Sequence, residues 1–370
     1  MSIHTDRVID FTKEPLFLGS GRNVARLDLN IEQWIQKRTD KALGLMWFKN
    51  DFTYTQDAKD FDAMSQELRN LFLKNLKFQT ELDSIATRTV LEVFKPITTN
   101  PQLESWWVTH GFFEDIHSNS YAELIKALPL NATKVFDDII VNPHIKARAK
   151  AIIDKFNDTV IHNARFELHN AGVECGYSEE AHKRSLVLSL YALNILEAGL
   201  FQTSFITTFA FAENGVMESS CKALSKISID EQEHKAMTQY LINRLKKDDE
   251  WIHLFEENKD EIVDMYKNAY EADLLWIDYL FEDDAKLLGL NANILKEFSR
   301  YNMYRAMGAV GLPQFLEEVK MNPCAWATKY TNIGNLQVAL NEADGVNYLL
   351  GALNKTITED DWASFKTIRK

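Results

Sequence analysis

No proline occurs between Pro143 and Pro313, and glycine is sparse across the same stretch. Helix interiors exclude both residues: proline lacks the N–H and clashes with the preceding turn, and glycine costs backbone entropy. A run of this length therefore folds as consecutive long helices. No alternating apolar–polar runs bounded by Asn-Gly turns compete with that reading, and no short-period repeat is visible. Periodicity predicts helices near residues 31–46, 59–93, 102–127, 145–172, 180–212, 216–246, 251–287 and 292–308, with shorter ones after Pro313. The polar stretch from Asn354 to Lys370 has no long apolar face and reads as a flexible tail, with the first dozen residues loosely held. The expected organisation is one domain over 1–350 and a tail over 351–370.

Within the proline-free run, Leu186 to Ala212 reads LVLSLYALNILEAGLFQTSFITTFAFA and holds one charged residue, Glu197. A helix apolar on every side is either central to a large bundle or in a membrane, and this one is long enough to span a bilayer. Asn194, Glu197, Gln202 and several Ser and Thr near its middle make a lipid setting costly, and no second segment resembles it. In a soluble core, Glu197 must still be paired, protonated or bound to metal. An ion pair with a buried Arg or Lys is the plain alternative.

Other acids share this situation. Glu114 and His117 are three apart in FFEDIHSNSY, so both leave one helical face, and Trp107 and Tyr121 extend that face. Glu231 and His234 repeat the spacing in IDEQEH, with Ile227, Thr238 and Leu241 on their face. Asp83 shares a face with Phe72, Leu76 and Val90. One such pair is usually a solvated surface feature. Two Glu-x-x-His helices and two further helices with one inward acid each make the ligand set of a di-iron or di-manganese carboxylate bundle. Two divalent cations held close repel, and four carboxylates neutralise their combined charge. Oxygen-rich ligation with one imidazole per ion suits iron or manganese better than copper or structural zinc.

With 46% hydrophobic residues, including 22 Phe, 12 Tyr and 8 Trp, the chain can bury a large core. Its net charge of −13 excludes a phosphate-binding surface for nucleic acid. The N-terminus has no apolar signal core, so a cytoplasmic protein is expected. Cys175, Cys221 and Cys324 are far apart and suit reduced thiols. No dithiol pair is present, so dithiol reduction could not easily be run by this chain alone, and no phosphate-cradling glycine-rich loop occurs.

These residues, in this order, resemble the small (beta) subunit of class I ribonucleotide reductases. The blocks PLFLGSGRNVARLD, NLKFQTELDSIATR, FFEDIHSNSY, VFDDIIVN, LEAGLFQTSF, FAFAENGVMES, IDEQEH and NYLLGAL carry the resemblance over nearly the whole chain. It implies an all-α, ferritin-like helical bundle with a di-metal carboxylate site in its core. One iron would be bound by Asp83, Glu114 and His117, the other by Glu197, Glu231 and His234, with Glu114 and Glu231 bridging; manganese is the alternative metal. Tyr121 would be the tyrosyl radical, generated with dioxygen and shielded by Phe201, Phe205 and Ile227. Trp47, Asp230 and His117 would relay it, Tyr348 would be the exit toward the large (alpha) subunit, and Glu342 would assist proton movement there. The tail, containing TEDDWASF but ending unusually in KTIRK, would dock on that subunit. A homodimer is also implied. A di-iron oxygenase or desaturase uses the same ligand set, and a ferritin-like iron-storage protein is the reading from another class. Neither has use for a docking tail.

Overall fold

The protein is represented by a computed structural model in which residues 3–29 and 31–332 are described. Asn30 and residues 333–370 fall outside that description, and with them Tyr348, Glu342 and the tail. The described part is helical: α1 Gln33–Gly44, α2 Thr55–Ala63, α3 Gln66–Arg88, α4 Pro101–Ala127, α5 Ala132–Val141, α6 Pro143–Asn170, α7 Glu179–Asn194, α8 Phe201–Glu213, α9 Glu218–Leu245, α10 Ile252–Glu257, α11 Lys259–Leu280 and α12 Ala292–Ala309. Among the described residues, β structure is limited to two isolated bridges, Phe17 with Thr98 and Leu287 with Leu290. The residues up to Thr331 form one compact unit.

Side-chain caps mark the starts. Ser65, Asn100, Asn131, Asn142, Ser178 and Asn291 each accept a backbone N–H from the first turn of the helix that follows. Pro101 and Pro143 sit in first turns, where their missing N–H costs nothing. α9 borrows its cap: Asp57 of α2 accepts N–H groups from Ser219 at 3.1 Å and Ser220 at 2.6 Å. A buried carboxylate at the positive end of the helix dipole fixes where α9 begins.

The Ser65 cap also divides the helix expected over 59–93 into α2 and α3. Asn258 interrupts the one expected over 251–287, its side chain donating to Leu254 O at the end of α10. The long helix expected from 145 begins at Pro143, and α5, between Pro129 and Pro143, was not anticipated. After Pro313 the described residues hold one 3-10 stretch, Ala325–Tyr330. Of the first dozen residues, Ile3 and Val8 are exposed while Phe11 is buried.

Two π-helical segments interrupt otherwise regular rods. Thr89–Phe94 continues α3, and Ile195–Leu200 joins α7 to α8. Widening a turn by one residue leaves carbonyls without their usual donor, and side chains supply it. Asn163 Nδ2 donates to the carbonyls of Glu92 and Val93. In the second segment Gln202 Nε2 donates to Glu197 O, and Arg148 Nη2 donates to Leu200 O. The rod from Glu179 to Glu213 is apolar and long enough to cross a membrane, but 94% of its most apolar window is buried inside the protein. It is the central helix of the bundle.

Candidate metal centre

α3 packs on α4 and α8, α4 on α9, and α9 on both α8 and the π segment ahead of it. These contacts close a ring, and α3, α4, α9 and the π segment each turn a carboxylate into the middle. Asp83, Glu114, His117, Glu197, Glu231 and His234 are each at most 1% exposed. Their donor atoms gather into two adjacent groups. Asp83, Glu114, His117 and Glu231 form one, and Glu197, His234 and a further histidine, His110, form the other. Within each group the donor atoms lie within 4.8 Å of one another.

The contacts show how the groups meet. Glu114 approaches His117 Nδ1 at 3.5 Å through Oε2 and His234 Nδ1 at 3.2 Å through Oε1. Glu231 Oε1 lies 3.4 Å from His117 Nδ1 and 3.2 Å from His234 Nδ1. Both glutamates therefore span the two groups. Asp83 Oδ1 meets His117 Nδ1 at 3.2 Å, and Glu197 Oε1 faces His110 Nε2 at 3.4 Å. Thr238 donates to the other oxygen of Glu197 at 2.8 Å. The buried guanidinium nearby, Arg148, pairs with Asp273 rather than Glu197, so the plain reading of Glu197 as an arginine partner does not describe this core.

Four carboxylates in a dry interior share too little positive charge. Asp83 Oδ2, Glu114 Oε2, Glu197 Oε1 and Glu231 Oε2 are buried without a hydrogen bond. Burial drives the Asp83 and Glu197 carboxyls well above their usual range. Glu114 and Glu231 also feel burial, but the surrounding imidazoles outweigh it and hold them low. Burial is likewise overcome at His234, where Glu231 and Glu114 push the imidazole up to about 10. Each proton so held is one a bound cation would replace. Orphaned oxygens, acid-rich donors and imidazoles at bonding range fit a pair of divalent ions.

Tyr121 stands next to this cluster with no exposed surface and a hydroxyl that finds no hydrogen-bond partner. Burial, then the charge of Asp83, keeps its phenol protonated far above the ordinary range. Phe201, Phe205 and Ile227 are buried, and the two phenylalanine rings stack at 5.8 Å along α8. On the other side of His117, Nε2 meets Asp230 Oδ2 at 3.1 Å, and the same oxygen accepts from Trp47 Nε1 at 2.7 Å. Trp47 and His117 lie nearly parallel, with ring centroids 6.1 Å apart. Residues expected to act together from distant points in the sequence are thus in direct contact.

His110 escaped the sequence reading, although a signal existed. It precedes Glu114 by four residues, so α4 presents His110, Glu114 and His117 on one face. Its Nε2 is 3.0 Å from Glu114 Oε1, and burial pushes the imidazole down to about 4.

The family described as "Ribonucleotide reductase, small chain" matches residues 30–323. The chain is 34% identical over 365 residues to the ribonucleoside-diphosphate reductase subunit beta of Haemophilus influenzae, covering 96% of each protein. It is 33% identical over 366 residues to the ribonucleoside-diphosphate reductase 1 subunit beta of Escherichia coli O157:H7, covering 96% of this chain and 97% of that one. The solved ribonucleotide reductase R2 subunit from Clostridium botulinum superposes with a TM-score of 0.76 at 21% identity, over 90% of this chain and 98% of that one. That likeness speaks to the fold, which is the expected ferritin-like helical bundle. Matches that run nearly the whole length of the curated relatives place the chain in the ribonucleotide reductase small-chain family, as a small subunit of that oxidoreductase.

Proposed function

We propose that this chain is the radical-generating subunit of a ribonucleoside-diphosphate reductase, with a carboxylate-bridged pair of iron ions beside Tyr121. The observation that carries the reading is the closed, buried set of four carboxylates and three imidazoles next to a solvent-free tyrosine. Asp83, Glu114 and His117 would hold one ion and Glu197, Glu231 and His234 the other, with Glu114 and Glu231 shared. When bound, the metal pair supplies one-electron oxidising power drawn from dioxygen.

The protein's own groups do the rest. Tyr121 Oη gives up one electron and one proton, and we assign the proton to Asp83, whose charge is felt at the phenol and which the unpartnered hydroxyl would turn to meet. Phe201, Phe205 and Ile227 keep water and reductants from the phenoxyl ring. Asp230 holds His117 and Trp47 in one hydrogen-bonded line, along which an electron returns to Tyr121 while the oxidising equivalent leaves. Beyond the described residues, we assign Tyr348 the exit to the large subunit, Glu342 a proton-moving role there, and residues 351–370 the docking contact. The face of α4 opposite its buried histidines exposes Val108 and Phe112, which suits a homodimer. We place the enzyme in the cytoplasm.

The test is ferrous reconstitution of the metal-free protein in air, followed by electron paramagnetic resonance beside a Tyr121→Phe control. A persistent organic radical absent from the control is the expected result. Two bound irons with no radical would remove Tyr121 from the mechanism, and a radical appearing with manganese alone would reassign the metal. Truncation after Leu350 should leave the radical intact and abolish nucleotide reduction with the large subunit.

A further inference from the structure

We propose that His110 is a third nitrogen ligand of the dinuclear site, binding the ion held by Glu197 and His234. The inference rests on the two-ion reading above and adds a donor to it.

His110 lies on α4 one turn before Glu114, is fully buried and points into the ring of helices. Its Nε2 stands 3.0 Å from Glu114 Oε1 and 3.4 Å from Glu197 Oε1. His234 Nδ1 stands in the same relation to its own two carboxylates, 3.2 Å from Glu114 Oε1 and 3.2 Å from Glu231 Oε1. The two imidazoles stack with centroids 3.7 Å apart and planes 25° apart, so both rings stand beside the same carboxylates. The donor atoms of His110, Glu197 and His234 all lie within 4.8 Å of one another, as a shared cation requires.

The contact of Nε2 with Glu114 Oε1 at 3.0 Å is a hydrogen bond, one that a shared cation would replace. Glu197 already has a donor for one oxygen in Thr238, and Glu114 already meets His234 and His117. Nδ1 of His110 is buried with no partner, so the ring is not held by a hydrogen bond at its far edge. Trp106 meets it edge-on at 5.6 Å and Trp107 stacks on it at 6.0 Å, fixing the plane by packing and aiming Nε2 inward.

A neutral imidazole adds a donor without adding charge, so the balance of four carboxylates against two divalent ions is unchanged. The two positions become unequal, one with a single imidazole and the other with two. Nitrogen donors favour iron over manganese in the ordinary affinity order, so the second position discriminates more strongly against manganese than the first.

The decisive experiment is a crystal structure of the wild-type protein loaded anaerobically with ferrous iron, alongside chelator-competed iron titrations of wild type and His110→Phe. The expected structure has two ions, one bonded to His110 Nε2. The expected titration shows one of the two equivalents weakened by about tenfold or more in the variant, with the other unchanged. Two ions with His110 Nε2 hydrogen-bonded to Glu114 or Glu197 instead would overturn the inference and leave the two-ion reading standing. Identical titrations for both proteins would also overturn it. Fewer than two ions in the wild type would overturn the two-ion reading and this inference together.

Discussion

Burial of His182 makes the protein's stability sensitive to acid at a point remote from the metal residues. Its Nε2 donates to Asn163 Oδ1 at 2.7 Å, and burial, followed by the charge on His162, lowers its pKa from 6.5 to about 4. Between those values the unfolded chain takes up a proton that the folded one refuses, so stability falls as pH drops through that window. The loss amounts to roughly 3 kcal/mol. His182→Gln should therefore be less stable than wild type at neutral pH, with the gap closing toward pH 4 in urea melts; a constant gap would refute the assignment. At Asp230, replacement by Asn removes the charge that supports His117, and iron affinity measured against a chelator should fall roughly 10- to 100-fold. Unchanged affinity would show that Asp230 serves Trp47 alone. The inward acids and their histidines were legible because each lies on an apolar helical face. Spacing by itself was not enough: Glu179 and His182, and Glu250 and His253, are also three apart. Glu250 points largely to solvent, Glu179 pairs with Lys183, and His182 serves Asn163. His110 was missed because the pattern sought began with the acid, whereas on α4 a histidine comes first.

At the scale of elements, helices with continuous apolar faces were readable, and the interruptions were not. Breaks at Ser65 and Asn258 depend on single side chains, one capping α3 and the other donating to Leu254 O at the end of α10, that the hydrophobic period does not register. The π segments are still less visible, because an extra residue in one turn leaves the composition helical throughout. Yet Glu197 lies inside one of them, and the placement of its carboxylate relative to Phe201 and Phe205 depends on that widened turn. The other is stabilised from outside by Asn163. Asn163→Leu would strand the carbonyls of Glu92 and Val93 in the interior at a cost of about 1–3 kcal/mol each. The urea midpoint should fall while the slope of the transition is kept; an unchanged midpoint would mean water or another donor serves those carbonyls.

Across the whole molecule, α6 contributes no residue to the metal cluster and still governs its frame. Near its start, Arg148 joins Leu200 O, Thr203 and Asp273, while Ser299 donates to the other oxygen of Asp273. That cluster ties α6 to α8, α11 and α12 around a guanidinium only 1% exposed. Farther along, Asn163 grips the π segment after α3. One rigid helix is thus fastened to both irregular turns, about 20 Å apart along its axis. Neither turn can loosen its fastening without straining the other, so the two should behave as one cooperative opening unit. Native-state hydrogen exchange should report it: amides in 89–94 and 195–200 would share one opening free energy and one dependence on denaturant. Separate values would mean that each half of the site breathes by itself, and that the two ions could be lost one at a time.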